Sequence, residues 1–490
     1  MLRVSIHLFI AFLLCTTLAA QEQMGLRLDY YAGVNAIFLN PAGHRTTPFS
    51  WDVNIAEVGA FAQNNYVFLS NTNLTDLLRS SDKYEIRYDL KRNAELETDK
   101  DVIYLDYYRG QQQRYFSALT NVVGPSFYVR INPQHTIGAF TRVRSFASSR
   151  NIPAEYGYYN YVEQPLDEAF SIAPFDLSGM LWSEIGANYT FTTETANGQF
   201  TIGANLKYLA GYEAFYMNNQ TQFDYTKLVE NDIAGDEVDL EYGFTDSNTN
   251  ADDFELEQNG SGFAVDVGMI YTFGESPENY DWKIGFSLLD LGRIRFTQNA
   301  QQHLIQQFNP TIVDTDLFRD LNGVNDVEDY TRLLSQQTLG DSTASLASKE
   351  FDVWLPQSFS FQFDKAFDNH WFLGAAIVEQ IPIGDQRLQR GGLLVVSPRY
   401  ESRWFGASVP ISLYNWQEVR YGMNLRLGFL SLGTDNLGSI IQNKDFSGSD
   451  FYLSLKINPF KWGNDEDKKG WINRLKDRKK RKTKVECYEF

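Results

Sequence analysis

Arg142 and Arg144 stand two residues apart in a run of alternating polar and apolar character. Residues two apart on a β-strand point to the same face. The pair therefore offers two guanidinium groups side by side, an arrangement that grips a carboxylate or phosphate by charge-assisted hydrogen bonds. Lys207, Arg420 and Arg426 occupy the polar faces of similar runs, as do Arg130, Lys283 and Lys456. Against these eight cations the same faces carry Glu184, Asp266 and Asp364, a net of +5 inside an acidic chain. Two readings follow. The polar face attracts an anionic ligand or head group, with Arg142, Arg144, Lys207, Arg420 and Arg426 as its binding residues. Or these charges pair with an internal segment and with loops.

Other chemistry is sparse. Of the five histidines, His44, His135, His303 and His370 lie beyond residue 20, and no two have metal-ligand spacing. There is no nucleophile elbow, phosphate-binding loop or zinc-protease helix motif. No catalytic residue, cofactor or metal is assigned. Asp314, Asp316, Asp320, Asn322 and Gly323 approach calcium-loop spacing but lack its distal glutamate. Residues 223–259 hold twelve Asp/Glu against Lys227 alone, which reads as a solvated outer loop or a loose divalent-cation binder.

The elements that position the cations are strands of period two. Phe200, Ile202, Ala204, Leu206 and Tyr208 alternate with Gln199, Thr201, Gly203, Asn205 and Lys207. Phe263, Val265, Val267, Met269, Tyr271 and Phe273 alternate with Ala264, Asp266, Gly268 and Thr272. Residues 418–428 and 450–459 repeat the pattern. Such runs reach about ten residues, enough to cross a membrane at a tilt, whereas a typical globular strand has about five or six. Fourteen segments qualify between residues 50 and 459, with twelve and sixteen as the bounds on the count. Short turns near 132–135, 194–198, 275–280, 368–369 and 401–402 alternate with long stretches at 70–121, 146–181, 213–261 and 298–355. This is the loop asymmetry of an outer-membrane barrel. The fold class expected is all-β, a transmembrane antiparallel β-barrel. Trp182, Trp282, Tyr271, Phe273, Trp371, Trp404 and Phe405 lie near strand ends and could supply aromatic girdles. In this register Val265 and Val267 face lipid. A charge at Gly268 or Thr272 should then cost less than one at Val265 or Val267.

Composition agrees. The 490 residues carry a net charge of −19, 15% aromatics and a mean hydropathy of −0.36. The charge argues against nucleic acid as a partner. The absence of a long apolar run after residue 20 argues against helical spans but not against a barrel. Residues 1–20 read as a secretory signal peptide: a basic start, an apolar stretch and a small-residue end. With Cys15 removed only Cys487 remains, so no internal disulfide forms. Residues 461–490 carry eleven Lys/Arg and six Asp/Glu. They read as a basic helix that touches lipid, peptidoglycan or a partner, or as an unstructured solubilising tail. The expected organisation is a signal peptide at 1–20, a plug segment at 21–48, a barrel at 49–460 and a basic periplasmic tail at 461–490.

Residues 33–43, with the sequence GVNAIFLNPAG, resemble the N-terminal segment of FadL-type outer-membrane transport proteins and of barrels associated with type IX secretion. The resemblance implies a plug inside a fourteen-stranded barrel, with Asn40 and Pro41 forming a turn of that plug. It departs from the family in the charged tail beyond Phe460. It implies an outer-membrane protein of a Gram-negative bacterium, with lipid as a partner; the even strand count puts both termini in the periplasm. The expected function is passive uptake or binding of hydrophobic or amphipathic ligands. The alternative is a structural or interaction barrel serving secretion or envelope assembly, with a partner on the basic tail.

Overall fold

The computed structural model describes residues 23–79, 85–88, 102–108, 114–153, 165–229, 232–235, 237–248, 255–307, 311–314, 327–367, 370–442 and 444–459. The signal peptide, the basic tail and Asp316 to Gly323 lie outside them. Fourteen antiparallel strands close into a barrel. They are β1 (Trp51–Asn64), β2 (Tyr115–Val123 with Ser126–Arg130), β3 (His135–Arg150), β4 (Phe175–Thr195), β5 (Gly198–Asn219), β6 (Gly260–Gly274) and β7 (Tyr280–Phe296). The circuit continues through β8 (Phe351–Trp354 with Ser358–Ala366), β9 (Trp371–Gln380), β10 (Leu393–Glu401) and β11 (Phe405–Ser408 with Ile411–Tyr414). It ends with β12 (Glu418–Tyr421 with Met423–Leu427), β13 (Leu430–Thr434) and β14 (Gly448–Ile457). Each pairs with the next, and β14 returns to β1 through Val53↔Ile457. Closure leaves no sheet edge to face lipid, where each unpaired backbone group would cost several kcal/mol.

The two faces of the wall separate as the alternation requires. Ile185, Ile202, Leu206, Phe263, Val267, Met269, Phe286 and Val419 are exposed, while Lys207, Asp266, Ser287, Arg420 and Arg426 between them are buried. On β7 the outward row runs Trp282, Ile284, Phe286, Leu288 and then changes to Arg293 and Arg295. These two arginines pair with Asp352 (2.9 Å) and Glu350 on β8 and the segment before it. About eleven residues at about 3.3 Å each, tilted by about 40°, give an apolar band about 28 Å tall. Phe273, Trp282, Trp371, Trp404 and Phe405 lie exposed along one rim of that band. Trp182 does not join them: it is fully buried inside, its Nε1 donating to Glu184 (2.8 Å). It shares the inward parity of Glu184.

Several stretches expected as long loops are wall. β3 runs on to Arg150, β4 starts at Phe175, and β5 continues to Asn219, where it pairs with Val238–Thr245. Val238–Thr245 in turn pairs with Ala300–Gln307. The sequence hides this continuation because the register shifts between Gly211 and Glu213. A bulge changes the phase of alternation, so a constant period-two template ends there. Part of the acidic stretch is likewise sheet: Phe223–Lys227 and Asp232–Gly235 pair with Ala169–Ile172 and Thr311–Asp314.

The upper interior is dry. Leu119, Phe146, Trp182, Leu209, Ile294, Phe296, Phe351, Val353 and Leu388 form one buried cluster. Leu388 comes from the β9–β10 connection, which crosses the mouth. Its Leu388 N–H donates to Trp354 O (3.1 Å) and its Gln389 N–H to Ser148 Oγ on β3 (2.7 Å).

Candidate functional site

Residues 23–50 fill the lower and middle lumen. They comprise α1 (Met24–Arg27) and two 3-10 turns, Gly33–Phe38 and Gly43–Thr46. Asn40 and Pro41 press against the wall where Gly203 on β5 pairs with Gly268 on β6. A Cβ at Gly203 would lie 2.6 Å from the Pro41 carbonyl carbon, and one at Gly268 would overlap Asn40 Oδ1. The seat needs glycine for close approach. Asn40 Nδ2 donates to Gln362 Oε1 (2.8 Å) and to the carbonyls of Met269 and Phe286 (3.2 Å each), while its Oδ1 accepts from Ala42 N (3.0 Å). This revises the expectation that a charge at Gly268 costs less than one at Val265 or Val267. Gly268→Ala should loosen plug docking by about 1–3 kcal/mol, the usual cost of overpacking. Faster proteolysis of residues 23–50, with the folded gel mobility of the barrel retained, is the measurement that checks it.

Buried charges fasten the plug to the wall. Arg27 pairs with Glu57 of β1 (2.7 Å), and Asp29 with Arg426 of β12 (3.2 Å). Lys456 of β14 donates to the carbonyls of Tyr31 (2.6 Å) and Ala32 (2.7 Å). At the rim of short turns, Glu278 in the β6–β7 turn binds Arg45 of the plug (2.5 Å) and Arg130 of β2, and its carbonyl accepts from Tyr30 Oη (2.6 Å). Burial raises the Glu278 carboxyl, but Arg130 and Arg45 outweigh it and hold the group below the usual glutamate value.

Above the plug and below the apolar cluster lies a small chamber. Its charged belt crosses five neighbouring strands, β3 to β7. Arg144 bridges Glu184 (3.2 Å) and Asp290 (3.0 Å). Lys207 bridges Asp266 (2.7 Å) and Asp290 (2.6 Å). Arg142 differs. Its Nε donates to the neutral Asn121 side chain, and Glu184 lies 4.0 Å away. Its guanidinium lies 4.8 Å from the Phe38 ring, and that of Arg27 lies 4.7 Å from the same ring. Phe38, Leu119, Phe146 and Leu289 add apolar surface.

Of the five cations singled out in the sequence, Arg142 and Arg144 line this chamber, and Lys207 stands behind it, paired with the lining carboxylates Asp266 and Asp290. Arg420 lies elsewhere, paired with Glu418 (2.9 Å) over the Tyr414 ring, and Arg426 is occupied by Asp29. The cationic excess expected from alternation is largely cancelled. Asp29, Asp52, Glu57, Asp290 and Glu401 are also buried inside, with Arg27 and Arg399. Asp290 was hidden because the ladder slips there and its backbone is left-handed (φ 57°), so Leu289 and Asp290 both turn inward. The available signal was an aspartate within Leu288-Leu289-Asp290-Leu291, too costly to leave against lipid. Among the described residues no group of three or more His, Cys, Asp or Glu is arranged to hold a metal.

A family model described as "Family of unknown function (DUF5723)" matches residues 41–435. The chain belongs to this family. No curated protein matches this DUF5723 member. Among solved structures it is similar to a deletion mutant of the TodX monoaromatic hydrocarbon channel, at 10% identity and a TM-score of 0.37, over 87% of this chain and 94% of that one. It is also similar to the Pseudomonas putida toluene transporter TodX, at 9% identity and a TM-score of 0.32, over 90% and 96%. The third is the Ralstonia pickettii toluene transporter TbuX, at 8% identity and a TM-score of 0.30, over 87% and 94%. At this level of likeness the barrel of this DUF5723 member stands on its own ladders.

Proposed function

We propose that the chain is an outer-membrane barrel of a Gram-negative envelope that binds small hydrophobic or amphipathic ligands and passes them passively. The observation that carries this reading is the chamber. It joins apolar walls to Arg142, a partly buried cation whose close polar partner is neutral. A carboxylate or phosphate head placed there gains charge-assisted hydrogen bonds from Arg142, and its tail lies against Phe38, Leu119 and Phe146. Arg144 and Lys207 are held by carboxylates and keep the belt rigid. Entry requires the β9–β10 connection carrying Leu388 to move; exit requires the Glu278 latch to open or the plug to shift. Trp51 and Ile457 lie at the rim of the short turns, which supports a periplasmic position for that rim and for the chain segments leading from it.

The test uses the purified barrel in a nonionic detergent, titrated with octanoate and with octanol by calorimetry. Octanoate should bind more tightly. Arg142→Gln should weaken octanoate by about tenfold or more, the loss of a hydrogen bond to a charged group, and leave octanol unchanged. Equal binding of the two ligands, or no effect of Arg142→Gln, would sink the proposal.

A further inference from the structure

A second small cavity lies between α1 and the wall formed by β10 to β14. Asp435, at the end of β13, and Asp450, on β14, both line it. Each is served by neutral donors. Asp435 accepts from Met24 N (2.8 Å), Gly25 N (3.4 Å) and Tyr452 Oη (3.1 Å). Asp450 accepts from Thr434 Oγ1 (2.7 Å) and from the backbone N–H groups of Asp435 (2.6 Å) and Asn436 (2.7 Å). The cation among the lining residues, Arg420, is paired with Glu418. The two carboxylates thus face a single guanidinium that Glu418 shares, and the pocket lacks positive charge.

Two further polar atoms border the cavity. Tyr414 Oη, beside Ser117, and Arg420 Nε make no hydrogen bond of normal geometry, although Tyr414 is 2% exposed and Arg420 6%. Both residues line the cavity. The remaining walls are apolar, from Met24, Phe61, Leu393 and Val395. We infer that this cavity is a second ligand site, for a protonated primary amine bearing a short apolar tail. The ammonium has three donors and no acceptor. It would supply the missing charge to Asp435 and Asp450 and a donor to Tyr414 Oη, with its tail among the four apolar side chains. This site is independent of Arg142 and of the chamber above the plug.

The experiment titrates the full barrel in nonionic detergent with hexylamine hydrochloride and, separately, hexanol. Each variant is first shown to keep its folded mobility on an unheated gel. Hexylamine should bind one-to-one and hexanol at least about tenfold more weakly. Ser412→Phe, which fills the cavity from β11, and Asp450→Asn, which removes the charge, should each weaken hexylamine by a similar factor. Tyr414→Phe serves if Asp450→Asn does not fold, and should weaken it by a few-fold. No binding of hexylamine, equal binding of hexanol, or indifference to both Ser412→Phe and the polar variant that folds would overturn the inference. Octanoate binding that responds to Arg142→Gln reports on the other chamber and is read separately.

Discussion

Replacing Arg144 with methionine is expected to destabilise the barrel by about 3–5 kcal/mol, the usual cost of stranding a buried charge. Arg144 is 3% exposed and stands 4.7 Å from the Trp182 ring. It neutralises Glu184, which also accepts from Trp182 Nε1, and shares Asp290 with Lys207. Methionine fills much of the volume but supplies no charge. Glu184 then keeps Arg142 at 4.0 Å as its nearest ion partner, and Asp290 keeps Lys207. Adding Glu184→Gln to Arg144→Met should recover a large part of the loss, because it removes the stranded charge and not just a contact. The measurement is the urea midpoint for loss of folded gel mobility in the wild type, the single variant and the double variant. A single-variant loss below about 1 kcal/mol, typical of exposed pairs, would mean that water reaches the belt freely.

Val267→Arg should cost about 2–4 kcal/mol near the bilayer midplane. Val267 is 44% exposed on the outward row between Val265 and Met269, while Asp266 beside it points in and holds Lys207 at 2.7 Å. Thr193→Arg, on an exposed position beside the β4–β5 turn, should cost only about 0–1 kcal/mol, since the penalty fades towards the interface. Refolding yields and urea midpoints in lipid vesicles compare the two. Equal costs would place β6 outside the hydrocarbon layer or slip its faces by one residue.

These two expectations also separate what the sequence makes readable from what it conceals. Where a strand keeps one phase through the bilayer, as β6 and β14 do, lipid on one side and a wet lumen on the other impose strict alternation. Arg142, Arg144 and Lys207 could be placed on the inner face for that reason, and adjacency of β3, β4 and β5 brings them together. Where the ladder slips, at Gly211–Glu213 and at Asp290, the same rule gives the wrong face or ends the strand early. The plug is a different case. Its short turns have no sustained period, so its burial left no pattern. Arg27 and Asp29 find Glu57 and Arg426 through tertiary placement alone. Asn40 and Pro41 were visible as a turn, but the paired glycines that receive them, Gly203 and Gly268, look like ordinary small residues on a polar face.

The plug's fastenings bear on the order in which the molecule assembles. Its first turn is held by Asp435 and Asn424, and its middle by Ser454 and Lys456, all on or directly beside the last three strands; Arg27 and Val34 hold to Glu57 and Asp52 on the first. The seam between β14 and β1 is therefore stitched from within by the segment that precedes both in space and in synthesis. Bringing together ends about four hundred residues apart costs loop-closure entropy before any contact rewards it. Because residues 23–50 grip both edges of the seam, their contacts offset part of that cost when the barrel closes.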